Sequence, residues 1–238
     1  SGTAVMNRRN RKRPFPKLSA ASHFAVCAIL VAAVAGCVGP PVGAGDGKAR
    51  TDEAMSNENY KKATFAGGCF WCMEPPFETL DGVYEVVSGY IGGTVPNPSY
   101  EQVVGKKTGH AEAVEIVYDP GKTSYEELLE VFFKTHDPTT LNRQGADEGP
   151  QYRSAVFYHD EKQKSAAENY IKKLNESGEF DRPIVTTLEK ATKFYPAVEV
   201  HQDFLRRNPN YGYCQAVVKN KVRKFNREFG DKIKKPGE

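Results

Sequence analysis

Short runs of β-prone residues alternate with helical patterns over residues 63–230, and this order restricts the possible folds more than any other feature of the chain. Within residues 111–118, Glu112, Val114 and Ile116 fall on one face, because side chains alternate along an extended strand. The alternation of strand and helix patterns predicts one α+β domain, in which helices pack on one face of a sheet.

Turn and capping residues give approximate bounds to these elements. Ser124 and Glu127 form a capping-box pattern, Asp160 is placed to cap a helix, and Gly178 is placed to end it. Strands are predicted at residues 63–66, 83–90, 111–118, 154–158 and 184–188, and helices at 69–80, from 124 onwards, at 160–178 and at 201–208. A loop and a basic tail follow the last predicted helix. Residues 137–152 have no period, and a long irregular loop inside a compact domain is often functional.

The charge of the chain is divided unevenly along its length. Residues 1–50 contain eight Lys and Arg against one acidic residue, whereas residues 51–238 contain 25 basic against 29 acidic residues. The formal net charge of +3 therefore belongs to one end of the chain. Because the body of the protein has no excess of basic residues, a nucleic-acid-binding domain is excluded.

The N-terminal segment is predicted to be an export signal. A basic run at residues 8–17 precedes an almost wholly apolar stretch at residues 23–36, which is short for a transmembrane helix and typical of a signal peptide. The stretch ends in Val34-Ala35-Gly36-Cys37, which resembles a bacterial lipobox and predicts lipid attachment at Cys37. The expected location is the bacterial cell envelope, periplasmic or extracytoplasmic, with the protein anchored in the membrane. An ordinary signal peptide cleaved after a small residue, or an uncleaved anchor, is the alternative.

This interpretation divides the chain into four parts. Residues 1–36 are an extension plus signal peptide, residues 37–61 a flexible tether rich in Gly, Pro and charge, residues 62–230 the folded domain, and residues 231–238 a basic tail of solvated charge.

The segment Gly67-Gly68-Cys69-Phe70-Trp71-Cys72 carries the most reactive pattern in the chain. A cysteine just after two glycines, in the first turn of a helix, is favoured as a thiolate by the positive end of the helix dipole. The two aromatic residues beside it would offer an apolar recess. The alternative is a buried structural cysteine among core aromatics, which the glycine pair and the second cysteine three residues later disfavour.

Glu112 is the candidate proton donor. It shares a face with Val114 and Ile116, and on the core side of a sheet a carboxyl group has a raised pKa through desolvation. Such a group suits general acid catalysis near neutral pH. A solvated glutamate at a strand edge is the alternative on the pattern alone.

The glycine–cysteine segment resembles the signature of peptide methionine sulfoxide reductases of type A, and the resemblance spans about residues 62–228. Four further segments agree with this family. They are Gly89–Gly93 with Pro96–Tyr100, Thr108–Val114, Asp147 with Gln151–Ser154, and Phe194–Pro196 with His201–Gln202 and Gly212–Cys214. The resemblance implies an α+β, ferredoxin-like fold for the catalytic domain, a two-layer sandwich of a mixed sheet with helices packed on it.

The resemblance also implies a role for individual residues. Cys69 matches the nucleophile that attacks the sulfoxide sulfur, and Glu112 matches the acid that protonates the sulfoxide oxygen. The remaining matched residues hold the substrate: Tyr100 and Tyr152 bond the oxygen, Asp147 is a polar neighbour, and Phe70 and Trp71 form the methyl pocket. The implied reaction reduces methionine-S-sulfoxide, in proteins or free, through a sulfenic acid and an intramolecular disulfide. A thioredoxin-like dithiol then restores the thiols, with no bound cofactor or metal, in an enzyme expected to be a monomer.

Two cysteines can resolve the sulfenic acid. Cys72 stands at the C-x-x-C spacing, where many family members have glycine. Cys214 follows Gly212-Tyr213 in a stretch that reads as flexible, and it matches the family's resolving position. Because a distal resolving thiol on a mobile segment can reach an oxidised site, Cys214 is favoured.

Three other functions fit parts of the pattern. A thioredoxin-like oxidoreductase would use Cys69 and Cys72 and would begin with a βαβ unit. A zinc site would need Cys69, Cys72, Cys214 and either His110 or His201, but the chain has no second paired spacing. A non-catalytic envelope lipoprotein would need none of these residues.

Overall fold

The computed structural model of the chain describes residues 59–235. The strands are β1 (Lys61–Gly67), β2 (Val83–Ile91), β3 (Ala111–Tyr118), β4 (Arg143–Gln144), β5 (Asp147–Glu148), β6 (Ser154–Tyr158), β7 (Thr187–Lys190) and β8 (Tyr195–Pro196). The helices are α1 (Phe70–Glu78), α2 (Tyr100–Val104), α3 (Tyr125–Thr135), α4 (Glu161–Ser177), α5 (Phe204–Arg207) and α6 (Lys219–Phe229). Short 3₁₀ turns lie at Pro150–Tyr152, Glu199–His201 and Gly230–Lys232, and a π-helical turn at Cys214–Val218.

Six strands form one mixed sheet in the order β7–β6–β1–β3–β2–β8. Strands β1 and β2 both pair antiparallel with β3, which lies between them, so the β1–α1–β2 unit is split by a third strand. Strand β6 adds antiparallel to β1, and β7 runs parallel to β6. This order of a split βαβ unit with β6 beside β1 is ferredoxin-like. The predicted α+β sandwich is confirmed.

Alternation along the strands builds the two layers. In β1, Phe65 faces the helices and packs in the large core cluster with Phe77 and Phe132, whereas Ala66 belongs to a smaller cluster on the other face. In β3, Val114 and Ile116 face the helices, as their spacing predicts. The larger apolar cluster lies on one face of the sheet, and α1, α3 and α4 all pack on that side.

The C-terminal part differs from the sequence prediction. The loop and tail expected after residue 208 contain helix α6, whose Phe225 and Phe229 are buried. The predicted strand at 184–188 forms slightly later, as β7, and the predicted helix at 201–208 is divided into a 3₁₀ turn and α5. The predicted basic tail also begins inside the fold, because Ile233 bridges to Leu80.

The predicted export signal, Cys37 and nearly all of the predicted tether lie outside the described residues. Over residues 59–235, no helix combines the length and the apolar character that crossing a membrane requires.

Candidate active site

A glycine turn lets a distant loop lie against the start of helix α1. Gly68 has φ +97, and a Cβ at this position would lie 2.6 Å from Cγ of Gln144. The amide of Gln144 accepts from the backbone N–H of Asp137 and donates to its carbonyl oxygen, at 3.1 Å in each case. The β4–β5 hairpin is thereby fixed over Gly68, which places Asp147 near the cysteines.

Cys69 is the N-cap residue of α1, and its side chain remains partly exposed. Its carbonyl oxygen accepts from the backbone N–H of Cys72 at 2.9 Å, so both sulfurs belong to the first turn of the helix. The predicted helix start after the glycine pair is therefore observed one residue later than expected.

Glu112 lies beside this helix start, on the helix-facing side of β3, and is 1% exposed. Its Oε2 accepts from the backbone N–H of Phe70 at 3.1 Å, a bond that lowers the carboxyl pKa. Burial nevertheless outweighs that bond and raises the pKa of Glu112 to about 8, with further increases from Asp147 and Cys72. The solvated strand-edge alternative for Glu112 is therefore wrong, and the carboxyl group can hold a proton at neutral pH.

The remaining polar residues of the predicted site gather around these two groups. Burial raises the pKa of Tyr152, and the neighbouring charges of Glu112, Cys69, Tyr100 and Asp147 raise it further. Tyr152 ends the 3₁₀ turn after β5, so the irregular loop at residues 137–152 carries two of the predicted site residues.

Tyr100 reaches the site from helix α2, a short helix that the sequence analysis did not predict. Its N-cap Ser99 forms a capping box with Gln102, which fixes the first turn in which Tyr100 lies. The Tyr100 ring is 4.5 Å from the ring of His201.

Aromatic rings form the apolar side of the site. Phe70 is buried, and Trp71 stacks on Phe204 with ring centroids 3.6 Å apart and an interplanar angle of 6°. His201 packs against both Phe70 and Trp71, at 5.6 and 5.7 Å between ring centroids. Phe204 and His201 therefore pack against the two aromatic residues of the predicted methyl recess, and the sequence analysis had not assigned either of them to the site.

Gln202 holds the aromatic side of the site in place. Its amide accepts from the backbone N–H of Ser88 and donates to the Ser88 carbonyl oxygen, both at 2.9 Å, and also donates to Ala197. These bonds fix the segment before α5 to strand β2. His201 and Gln202 belong to one of the segments that resemble the family. That resemblance was the sequence evidence that could have identified both residues as part of the site.

The thiols of Cys69 and Cys72 share a hydrogen bond. Burial raises the pKa of the Cys69 thiol well above its usual value, and Glu112 and Asp147 add to that increase. The bond from Cys69 lowers the pKa of Cys72 to about 7, although burial opposes the change. The positive end of the helix dipole, which favours a thiolate at Cys69, is therefore opposed by burial and by two carboxyl groups. The lower pKa belongs to Cys72.

Cys214 is fully buried and begins a π-helical turn, in the stretch for which the sequence predicted flexibility. It packs in one apolar cluster with Cys72, Phe204 and Val218. All three described cysteines are free thiols. Cys72 is thus hydrogen-bonded to Cys69 and lies in one apolar cluster with Cys214.

A zinc centre has no support in the described part of the chain. No cluster of three His, Cys, Asp or Glu side chains within residues 59–235 is suited to holding a metal ion. His110, one of the predicted ligands, uses both ring nitrogens in loop contacts, with the N–H of Gly93 at 3.0 Å and the carbonyl oxygen of Val95 at 2.8 Å.

Comparison with known proteins gives one consistent result. The sequence model of the family described as peptide methionine sulfoxide reductase matches residues 61–233. "Peptide methionine sulfoxide reductase MsrA 1" of Rhodopirellula baltica is 64% identical over 185 residues, which cover 78% of this chain and 95% of that protein. "Peptide methionine sulfoxide reductase MsrA" of Deinococcus radiodurans is 53% identical over 73% of this chain and 84% of that protein.

Solved structures agree with the sequence matches. Methionine sulfoxide reductase A of Corynebacterium diphtheriae has a TM-score of 0.58 and 35% identity, covering 67% of this chain and 80% of its own. The reduced form of Mxr1 from Saccharomyces cerevisiae has a TM-score of 0.57 and 32% identity, covering 66% of this chain and 91% of its own. The shared fold and the long sequence match, together with a cysteine and a buried carboxyl group at the start of α1, lead to one assignment. The chain belongs to the peptide methionine sulfoxide reductase family of type A, whose members are oxidoreductases.

Proposed function

We propose that this protein reduces methionine-S-sulfoxide, free or in proteins, to methionine, with Cys69 as the nucleophile. The observation that carries the proposal is the contact between the start of α1 and Glu112, which places a proton-bearing carboxyl group beside a partly exposed thiol. An electrophilic sulfur bound between them would meet a nucleophile on one side and an acid on the other.

The first step forms the Cys69 sulfur bond to the sulfoxide sulfur. The thiol proton leaves to solvent, because the Cys69 side chain is partly exposed, while Glu112 gives a proton to the sulfoxide oxygen. Tyr100 and Tyr152 hold that oxygen, and Phe70 and Trp71 receive the methyl group. The oxygen then moves from the substrate sulfur to the Cys69 sulfur as the new sulfur–sulfur bond breaks, which releases methionine and leaves Cys69 as a sulfenic acid.

The second step forms a disulfide, which an external dithiol of the thioredoxin type then reduces by thiol–disulfide exchange. Cys214 matches the position of the family's resolving cysteine, which favours it as the resolving thiol. The hydrogen bond between Cys72 and Cys69 favours Cys72 instead. No bound cofactor or metal is needed, because the electrons come from the thiols. We expect the enzyme to act as a monomer.

A turnover assay with the separate S and R epimers tests this function. We expect reduction of the S epimer with dithiothreitol and then with thioredoxin, and loss of activity in Cys69→Ser. Reduction of the R epimer alone, or full activity in Cys69→Ser, would contradict the proposal. A peptide substrate and the free amino acid, assayed in parallel, measure the preference between protein-bound and free methionine sulfoxide.

We also propose that the mature protein is held at the membrane by lipid on Cys37, in the bacterial cell envelope. Support comes from the sequence Val34-Ala35-Gly36-Cys37 at the end of the apolar stretch. Each buried methylene of an acyl chain contributes about 0.8 kcal/mol to membrane binding. In cells given a labelled fatty acid, we expect label on the wild type and on Cys27→Ala, but none on Cys37→Ala. Label that survives Cys37→Ala would exclude this anchor.

A further inference from the structure

The hydroxyl of Tyr213 lies between a sulfur and a carboxylate. Its Oη is 3.5 Å from Sγ of Cys72 and donates to Oδ2 of Asp147 at 2.8 Å. A phenol has one hydrogen, so it cannot donate to both neighbours at once. While Cys72 is a thiol, Tyr213 donates to Asp147 and can accept from the sulfur. Once Cys72 is a thiolate, the Tyr213 hydroxyl hydrogen can be donated either to Asp147 or to the Cys72 sulfur.

We propose that Tyr213 is a positioning residue that holds the Cys72 sulfur as the nucleophile that resolves the oxidised Cys69. This inference rests on the proposed function, since it concerns the second step of that reaction. Cys72 is 1% exposed, so its charged form depends on donors supplied by the protein. Tyr213 is such a donor, and it also stands between the sulfur and the negative charge of Asp147.

The groups around Cys72 have opposing effects on the stability of its thiolate. The hydrogen bond from Cys69, the charge of Lys221 on helix α6 and the Tyr213 hydroxyl favour the thiolate, whereas burial and Asp147 oppose it. Cys214 lies in the same apolar cluster, on the side of α6. Lys221 contributes only its charge, whereas the bond of Tyr213 to Asp147 holds the Tyr213 hydroxyl beside the Cys72 sulfur.

The Cys72 thiolate attacks the sulfur of the Cys69 sulfenic acid, and a sulfur–sulfur bond forms as the sulfur–oxygen bond breaks. Cys72 is oxidised and the Cys69 sulfur is reduced to the disulfide level, while the leaving hydroxide takes a proton from solvent and becomes water. The oxidising equivalent is the one that methionine sulfoxide delivered in the first step.

Tyr213→Phe tests this role, with Tyr211→Phe as its matched control. Both rings pack edge-on against Trp71, at 6.1 Å for Tyr213 and 6.2 Å for Tyr211, so each substitution keeps a ring and removes a hydroxyl. The full chain is mixed with one equivalent of methionine-S-sulfoxide without external dithiol. Released methionine reports the first step, and quenched mass spectrometry of the thiols reports the second.

We expect Tyr213→Phe to release methionine as the wild type does, but to form the Cys69–Cys72 disulfide about tenfold more slowly, since a hydrogen bond to a charged group is typically worth that much. A diketone that traps sulfenic acid should label Cys69 in this variant, and Tyr211→Phe should match the wild type. Equal slowing in both variants, or wild-type disulfide formation in Cys72→Ser, would overturn the inference. Failure of the wild type to release methionine would instead overturn the proposed function.

Titration of the Cys72 thiol gives a readout that a packing role would not change. The full chain is used with its other four cysteines replaced by serine, so that the ultraviolet absorbance of thiolate reports Cys72 alone. We expect Tyr213→Phe to raise the pKa of Cys72 by about one unit, a tenfold change in the thiolate equilibrium. Asp147→Asn should lower it, because a negative charge is removed. Shifts in the same direction for both variants, or none for Tyr213→Phe, would exclude the proposed role.

Discussion

Glu112 is an ionisable side chain on the apolar face of a strand, and its environment determines what it can do. Burial raises its pKa to about 8, against the bond from the Phe70 N–H that lowers it. An acid with a raised pKa keeps its proton until the pH passes that value. Glu112 therefore can donate a proton at neutral pH, which a solvated glutamate could do in only a small fraction of molecules.

The first prediction concerns the proton that Glu112 donates. The rate of methionine release in a single turnover should rise with pH as the Cys69 thiolate forms and should level off near pH 8, because Glu112 then loses the proton that it donates. Glu112→Gln should lower the rate by about 10²-fold or more, and its rate should go on rising above pH 8. Glu115→Gln is the control, because Glu115 lies on the same strand and pairs with Lys62. A plateau near pH 8 that persists in Glu112→Gln would assign the proton to another group.

At the scale of elements, the glycine turn before α1 and the β4–β5 hairpin determine each other's position. Gly68 has positive φ, and its missing Cβ leaves the space that Gln144 occupies. The same hairpin carries Asp147, which is bonded to Tyr213. A small change at Gly68 should therefore be transmitted to the polar side of the site.

The second prediction distinguishes the effect of backbone strain at Gly68 from the effect of its close contact with Gln144. Gly68→Ala and Gly178→Ala both place a Cβ at positive φ, +97 and +70, but only at Gly68 would the Cβ clash, since Gly178 has open space around it. Each should lose about 1–2 kcal/mol of unfolding free energy from strain. Gly68→Ala should in addition lower kcat about tenfold or more, because displacement of about 1 Å at a site has effects of that size. Urea unfolding and steady-state kinetics check the two results, and equal kcat values would contradict the role of the turn.

Local patterns predicted several elements, and long-range contacts decided the rest. The alternation in β3 placed Glu112 on the core face, and the capping box at Ser124 fixed the start of α3. Helix α6 was missed because its many basic residues were read as a tail, although Phe225 and Phe229 stand at helical spacing. Helix α2 has five residues, which is too short for a periodic pattern.

The site shows the same division between local and long-range information. The start of a helix at Cys69 could be predicted, but the charge of its thiol could not, since burial and Asp147 come from elsewhere in the fold. The aromatic side of the site around His201 depends on bonds from Gln202 to Ser88, which is 114 residues away in the sequence. A local residue pattern cannot predict a contact between residues so far apart in the sequence.

At the scale of the whole molecule, three acidic side chains join α1 to the segment that begins α5. Glu74 and Glu78 lie one turn apart on α1, and Asp203 faces them from the N-cap of α5. Burial raises the pKa of Glu74 to about 7 and that of Glu78 to about 8, and a hydrogen bond with Asp203 contributes to the second shift. Arg206 bonds to Asp203, and the pKa of Asp203 is lowered although burial opposes that change. The helix that carries both site cysteines is thus linked to the aromatic side of the site through groups that hold protons.

This cluster makes the stability of the fold depend on pH. The usual pKa of Glu74 is 4.5 and its value in the fold is about 7. Below pH 4.5 the carboxyl group is protonated in both folded and unfolded chains, and stability is unaffected. Between these values the unfolded chain releases the proton and the folded chain keeps it, so stability falls as pH rises. Above pH 7 the full loss is reached, about 3 kcal/mol at 1.4 kcal/mol per unit.

The third prediction is that Glu74→Gln stabilises the protein at pH 8 and has much less effect at pH 5. Glutamine keeps an oxygen for the backbone N–H groups of Asp203 and Phe204, which bond to the Glu74 carboxyl group, and it has no charge to bury. About 3 kcal/mol corresponds to a rise in Tm of about 5–10 °C for a domain of this size. Thermal unfolding at both pH values measures the difference, with Glu228→Gln on the exposed face of α6 as the control. A Tm at pH 8 equal to that of the wild type would mean that Glu74 is not ionised in the fold, and the same rise at pH 5 would mean that the gain comes from packing and not from charge.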